Sequence, residues 1–198
     1  MTSKATLQRA VSISHGPTSD FDLNPAFRPS SEKPLRQAGV LVPVMALDGM
    51  PSVLLTKRAP MLKHHPGQIA FPGGRVDPTD ADAIDAALRE ADEEVGLPRT
   101  SVEVLGTLPV HETVTGFAVT PVLGWIGDSF DPRPEPGEVA EVFAVPLSHL
   151  LSPSSYSIQS RIWRGQTRQF FTVPYGPYYI WGATARMLRV LADLVERA

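Results

Sequence analysis

Leu88-Arg89-Glu90-Ala91-Asp92-Glu93-Glu94-Val95-Gly96-Leu97 is the stretch on which the reading of this chain turns. Leading into it, Ile84, Leu88, Ala91 and Val95 recur at i, i+4, i+7 and i+11, the period of a helix with one apolar face. The helix is predicted from Asp80 onward. Thr79, Asp80 or Asp82 can cap its start, and Gly96 with Pro98 stops it. At about 100° per residue, Glu90 and Glu94 stand one turn apart on one side, with Glu93 beside them. Like charges at that spacing weaken an isolated helix by roughly 0.2–0.5 kcal/mol per pair. They also lie near the C-terminus, the end of the helix dipole that disfavours anions. A divalent cation held by carboxylate oxygens offsets both penalties; a solvated acidic face is the other reading of the same pattern.

Outward from this helix the pattern changes to short apolar runs. Residues 38–47 and 52–56 flank Asp48-Gly49, a hairpin signal, and Pro43 suggests an edge position or a bulge. Residues 57–74 are polar and turn-rich around Ile69-Ala70-Phe71. Strands are predicted over 102–108, 114–126 and 139–145, with a proline-rich breaker at 132–137. Residues 157–163 and 169–173 read as a further hairpin around Arg164-Gly165-Gln166. A closing helix is predicted over 179–197, from Ile180, Ala183, Met187, Leu188, Leu191 and Leu194. Strands, one helix, strands and a last helix make a mixed α+β layer architecture. Residues 1–34 show no sustained period and read as an N-terminal arm, extended with at most one short helix; 35–198 form one domain.

At 198 residues, a single domain is the expectation. Eighteen basic and 21 acidic residues leave a net charge of −3, without the electrostatic footprint of a nucleic-acid binder. The absence of cysteine excludes disulfides, a thiol nucleophile and a thiolate zinc site. No apolar run reaches the ~20 residues of a membrane helix. The first twenty residues lack the apolar core of a signal peptide. A soluble cytoplasmic protein without a membrane partner is expected.

With Phe71-Pro72-Gly73-Gly74 upstream, the helix resembles the Nudix box. That pattern is a glycine, a spacer, an acidic residue, a second spacer, then R-E-(apolar)-x-E-E-x-G-(apolar). Arg89, Glu90, Ala91, Glu93, Glu94, Gly96 and Leu97 match the second half position by position. Gly74 and Asp80 match the first half, with Asp for the usual Glu and a second spacer (81–88) one residue longer. The resemblance implies an α/β/α sandwich with a mixed sheet and a loop–helix–loop metal site. It implies water attack on one phosphorus of a nucleoside diphosphate linked to another group. Mg2+ or Mn2+ would be held by Glu90, Glu94 and Glu93, hard cations preferring oxygen. Glu93, or a carboxylate from a later loop, would take the proton, and Arg89 would brace a glutamate through a bidentate ion pair.

Leu54-Leu55-Thr56-Lys57-Arg58-Ala59, Lys63, Gly67 and Phe71-Pro72-Gly73-Gly74 are similar, at matching spacing, to the extra motif of the coenzyme A pyrophosphatase subfamily. Lys63 stands where the subfamily has Arg, keeping the charge but not the planar fork. This resemblance implies cleavage of coenzyme A or its derivatives to 4'-phosphopantetheine (or its acyl form) and adenosine 3',5'-bisphosphate. Arg58, Lys63, Gly67, Phe71, Gly74 and Arg75 would then bind the substrate, and Arg58, Lys63 and Arg75 would bring positive charge to it. The N-terminal arm or the aromatics of 175–181 offer a groove for the pantetheine arm, core packing being the alternative for those aromatics. Glu138 and Glu141 are further candidates for metal binding or proton removal. His111 and Glu112 are candidates to face the site, whereas His64 and His65 read as exposed loop residues. Two other functions stay open: a Nudix pyrophosphatase for ADP-ribose or NADH-like dinucleotides, and a non-catalytic Nudix-like binding module. Oligomeric state is not legible in the sequence.

Overall fold

The computed structural model describes residues 2–28, 34–47, 49–63, 65–127, 130–163 and 165–198; Asp48, His64 and Arg164, singled out in the sequence, lie outside them. In chain order these form α1 (Lys4–Val11), β1 (Thr18–Ser19), β2 (Arg36–Leu47), β3 (Met50–Arg58), β4 (Ile69–Ala70), β5 (Gly73–Arg75) and α2 (Ala83–Val95). There follow β6 (Val102–Thr107), β7 (His111–Glu112), β8 (Phe117–Ile126), β9 (Val139–Pro146), α3 (Leu147–Leu150), β10 (Ser157–Trp163), β11 (Gln166–Thr172) and α4 (Gly182–Glu196).

Side chains alternate across the central strands and divide the core into two. Leu41 and Met45 of β2, Leu54 of β3, and Val122 and Ile126 of β8 pack with Ala87, Ala91 and Val95 of α2. Their neighbours Val42, Val44, Val53, Leu55 and Leu123 point the other way, onto Leu188 and Leu191 of α4. The result is three layers: α2, a mixed sheet, and α4 with α1 and α3. β2 runs parallel to β8 and antiparallel to β3 and β5; β9 pairs with β3, and β6 and β7 with β8. β10 and β11 form a separate antiparallel hairpin. No helix among the described residues is long and apolar enough to cross a membrane.

Several elements depart from the sequence reading. The N-terminal stretch does carry one short helix, but it is docked instead of extended: Leu7 and Ala10 are fully buried in the α4-side core. β1 adds to the sheet beside β7. Pro43 lies on a central strand, not at an edge. The Leu41 N–H points to the β5 side, donating to the Pro72 carbonyl. The nitrogen of Pro43, two residues on, therefore faces the same side. It falls in the gap where β2 changes partner, between Val40↔Gly73 and Val44↔Val53. No ladder bond is lost. β8 starts at Phe117 because a turn occupies 113–116, where Gly116 takes a φ of 80°. α4 starts at Gly182; Ile180 is buried but extended, its carbonyl accepting the Val173 N–H.

Candidate active site

Two close approaches of backbone build the site. A Cβ on Gly39 of β2 would lie 1.9 Å from the Ala83 carbonyl oxygen, so only glycine lets the first turn of α2 down onto the sheet. The helix is fixed at both ends. The Asp82 side chain accepts the N–H groups of Ile84 and Asp85, at 2.8 and 2.9 Å, and Gly96 closes the C-terminus with φ 68°. Opposite Gly39, Gly74 of β5 leaves the space that the Glu90 carboxylate fills: a Cβ there would sit 2.3 Å from a Glu90 oxygen. The Gly73 N–H donates to Glu94 Oε2 at 3.2 Å. Two glycines thus gather two carboxylates from consecutive turns of α2.

Glu94 is 5% exposed. Burial pushes its carboxyl up to about 7, against the Gly73 N–H and the Arg58 charge, while Glu90 and Glu138 push it further up. Glu90 is raised as well, by burial first, with Arg89 opposing and Glu93 and Glu138 adding to the rise. Glu93 turns outward, its side chain 61% exposed.

Arg89 ties the acids together. Its fork grips Asp80, Nε to Oδ1 at 2.8 Å and Nη2 to Oδ2 at 3.0 Å, while Nη1 reaches Glu90 at 3.0 Å and Glu93 at 2.9 Å. Its bidentate partner is therefore Asp80, and the glutamates receive single bonds. That corrects the expectation of a forked glutamate, and it gives Asp80 a role. Held by Arg89 and by the Asp77 N–H, Asp80 is pulled down to about 2. Arg89 is pushed above its ordinary range by Asp80 and stays charged.

The other candidates divide. Arg58, at the end of β3, acts on Glu94, and its Nε is buried without a hydrogen-bond partner among the described residues. Glu138 joins the cluster electrostatically, and its carbonyl accepts the Ala59 N–H at 2.8 Å. Glu141 does not join. Paired with Lys57 across the β3–β9 ladder, it lies on the α4 side and takes the Tyr178 hydroxyl proton in a hydrogen bond. Tyr178 stacks on Phe143 at 3.6 Å. Phe71 is 4% exposed within the core, a packing residue where a substrate contact was expected. Gly67, at φ 70°, shapes the loop through its N–H to the Arg58 carbonyl. Lys63 and Arg75 are exposed, and so is His65. His111 is fully buried away from the carboxylates, bonded to Thr18 Oγ1 at 2.9 Å and Asp20 Oδ1 at 3.1 Å. Glu112 pairs with Arg28. Both hold the N-terminal segment. Sequence reasoning missed Gly39, although an isolated glycine inside a strand is a signal of close backbone approach.

Residues 35–163 match the family described as the NUDIX domain. The chain belongs to the Nudix family. It is 48% identical over 157 residues to a protein named uncharacterized Nudix hydrolase NudL from Enterobacter sp. (strain 638), which covers 79% of this chain and 81% of that one. The same figures hold for the NudL protein of Salmonella paratyphi B (strain ATCC BAA-1250 / SPB7). Among solved structures it is similar to the MutT protein from Methanosarcina mazei Go1, with a TM-score of 0.49 and 24% identity over 62% of this chain and 84% of that one.

Nudix hydrolases generally use a divalent cation such as Mg2+. The donors here suit one: they are oxygens, two of them are raised by burial and mutual repulsion, and a cation reverses both effects. Among the described residues, however, no three carboxylates or imidazoles already stand as a coordination group. Glu90 and Glu94 converge beside Gly73-Gly74, whereas Glu93 is committed to Arg89.

Proposed function

We propose that the chain hydrolyses the pyrophosphate bond of coenzyme A and its derivatives with Mg2+ or Mn2+, giving 4'-phosphopantetheine (or its acyl form) and adenosine 3',5'-bisphosphate. The observation that carries this reading is the conjunction of Arg58 with the buried Glu94. The arginine of the L-L-T-K-R-A sequence brings a guanidinium nitrogen with no hydrogen-bond partner among the described residues to the carboxylates that would hold the cation. A pyrophosphate lying between them meets positive charge from both sides.

The bound cation would neutralise phosphate charge and activate a water. Glu90 and Glu94 would hold it, the Gly73 N–H fixing the Glu94 rotamer and Arg89 that of Glu90. Glu93 or Glu138, both outside the buried pair, would take the water proton. Lys63 and Arg75, both exposed, would supply further positive charge to the substrate. The test is chromatographic turnover of coenzyme A, an acyl-coenzyme A, ADP-ribose and NADH with each metal. Coenzyme A compounds are expected to be the best substrates. Equal turnover of the whole panel would overturn the substrate assignment, and no metal-dependent turnover of any would overturn the reaction.

A further inference from the structure

The β10–β11 hairpin carries a cluster that the chemistry above does not use. Arg161 and Arg168 face each other directly across the ladder. Like charges directly opposite destabilise a strand pair, and no carboxylate pairs with either among the described residues. Aromatic rings flank both. The Arg168 guanidinium lies 4.4 Å from the Trp163 ring centre and 4.8 Å from that of Phe27, and its Nε is buried with no hydrogen-bond partner among the described residues. Arg161 lies 5.8 Å from the ring centre of Trp181, whose edge meets Phe170. Two guanidinium groups without a carboxylate partner among the described residues, one wedged between rings and one beside an exposed strand, are chemistry for an aromatic ligand that carries a phosphate.

The cluster also stands at the right end of the molecule. β2 begins, and β3 ends at Arg58, at one end of the sheet, where β5 supplies Gly73 and Gly74. α4 and the hairpin are tied to that same end on the face opposite α2. The Thr184 hydroxyl donates to the Ile69 carbonyl of β4, and Asn24 exchanges hydrogen bonds with the Gln169 backbone. A ligand whose pyrophosphate sits among Arg58, Glu90 and Glu94 would pass the rim of the sheet at this end to reach the hairpin.

We propose that Arg161 and Arg168, with Trp163 and Trp181, form the subsite for the ribose-bound phosphomonoester and purine of the nucleotide half of the substrate. The subsite selects a nucleotide with a 3'-phosphate over one without it. This deepens the proposed coenzyme A reading and rests on it for the position of the pyrophosphate.

The experiment compares coenzyme A with 3'-dephospho-coenzyme A in the metal-loaded wild type, Arg168→Gln, Arg161→Gln and Arg168→Lys. The wild-type preference for coenzyme A, as a ratio of kcat/KM values, is expected to fall by about tenfold or more in the two glutamine variants, and less in the lysine variant. An equal loss on both substrates marks a structural role and overturns the proposal, as does an unchanged ratio. Calorimetric binding of adenosine 3',5'-bisphosphate and of AMP to the same proteins reads the subsite without turnover. Tighter wild-type binding of the bisphosphate, lost in Arg168→Gln, supports the subsite even if neither coenzyme A compound is cleaved, in which case only the substrate reading fails. Equal wild-type affinities for the two nucleotides overturn it.

Discussion

Replacing Glu94 by glutamine separates what its carboxylate costs from what it does. In the chelated protein, burial raises this group from its ordinary 4.5 to about 7. A carboxyl that binds its proton more tightly when folded makes stability fall as pH rises from 4.5 towards 7, and the loss is complete above that range. The difference, about 2.5 pH units at ~1.36 kcal/mol each, amounts to about 3 kcal/mol at pH 8. Glutamine removes the charge, and its amide oxygen can still accept the Gly73 N–H. Without metal at pH 8, Glu94→Gln is therefore expected to be the more stable protein by up to about 3 kcal/mol, or roughly 6–12 °C in Tm for a chain of this size. At pH 4.5 the gain should vanish. Mg2+ should reverse the order, stabilising the wild type and not the variant, with turnover in the variant down by several orders of magnitude. Thermal and urea unfolding at both pH values, with chelator or with metal, measures all of this. An equal gain at pH 4.5 and pH 8, or none at pH 8, refutes the argument that a desolvated charge is what the fold tolerates there.

Gly74→Ala places a methyl 2.3 Å from the flexible end of Glu90, which must swing away; stability should hold within about 1 kcal/mol while metal affinity, by calorimetry, drops by roughly 10–100-fold. Unchanged affinity would show that Glu90 does not need this space. Arg89→Lys keeps a charge but not the fork on Asp80, so turnover should fall by roughly 10–100-fold, and the Asp80 titration followed by NMR should move up from about 2. Gly39→Ala drives a Cβ into the Ala83 carbonyl, backbone against backbone; equilibrium unfolding should show a loss of about 3 kcal/mol or more, and a loss under about 1 kcal/mol would refute the close approach of α2 to β2.

α2 was legible because two independent signals agree on it: the stripe of Ile84, Leu88, Ala91 and Val95, and the caps, an aspartate at the start and a left-handed glycine at the end. The β2–β3 hairpin was legible for the same reason. The N-terminal segment was not. Its docking relies on a few separated anchors, Leu7, Ala10, Thr18 and Asp20, which make no periodic pattern. Helical spacing alone put Glu90 and Glu94 on one side of α2, and the resemblance to the Nudix box singled them out as candidate cation ligands. The Arg89 fork on Asp80 was not found, because its partner is nine residues away around an irregular turn. Phe71 and Gly74 sit three residues apart in one motif, yet the first packs the core and the second makes room for a carboxylate. The motif names both without distinguishing them. Glu138 and Glu141 looked equivalent in sequence, but Glu141 lies on the strand opposite Lys57 and faces α4, and only Glu138 is left near α2.

The acidic helix ends where helices are least able to hold acids, and the polypeptide resolves this with the same segment that delivers the fourth carboxylate. The last carbonyls of α2 have no partners within the helix. Arg133 and Glu135, in the proline-rich loop, donate their N–H groups to the carbonyls of Val95 and Glu94 at 2.8 and 2.9 Å. Three residues on, the Glu138 N–H returns to the Glu135 carbonyl, and the Glu138 carbonyl takes the N–H of Ala59, next to Arg58. One short segment therefore caps the helix through the backbone of Glu94 and is bonded in turn to the strand that carries Arg58. The prolines at 132, 134 and 136 stiffen it, since each fixes its own φ and none supplies a competing N–H. Glu94, Glu138 and Arg58 consequently keep fixed spacing although they come from a helix, a loop and a strand. Such a framework holds like charges together before any cation arrives, and it is why the electrostatic strain on Glu94 stays in the folded protein instead of being relaxed by a turn of the backbone.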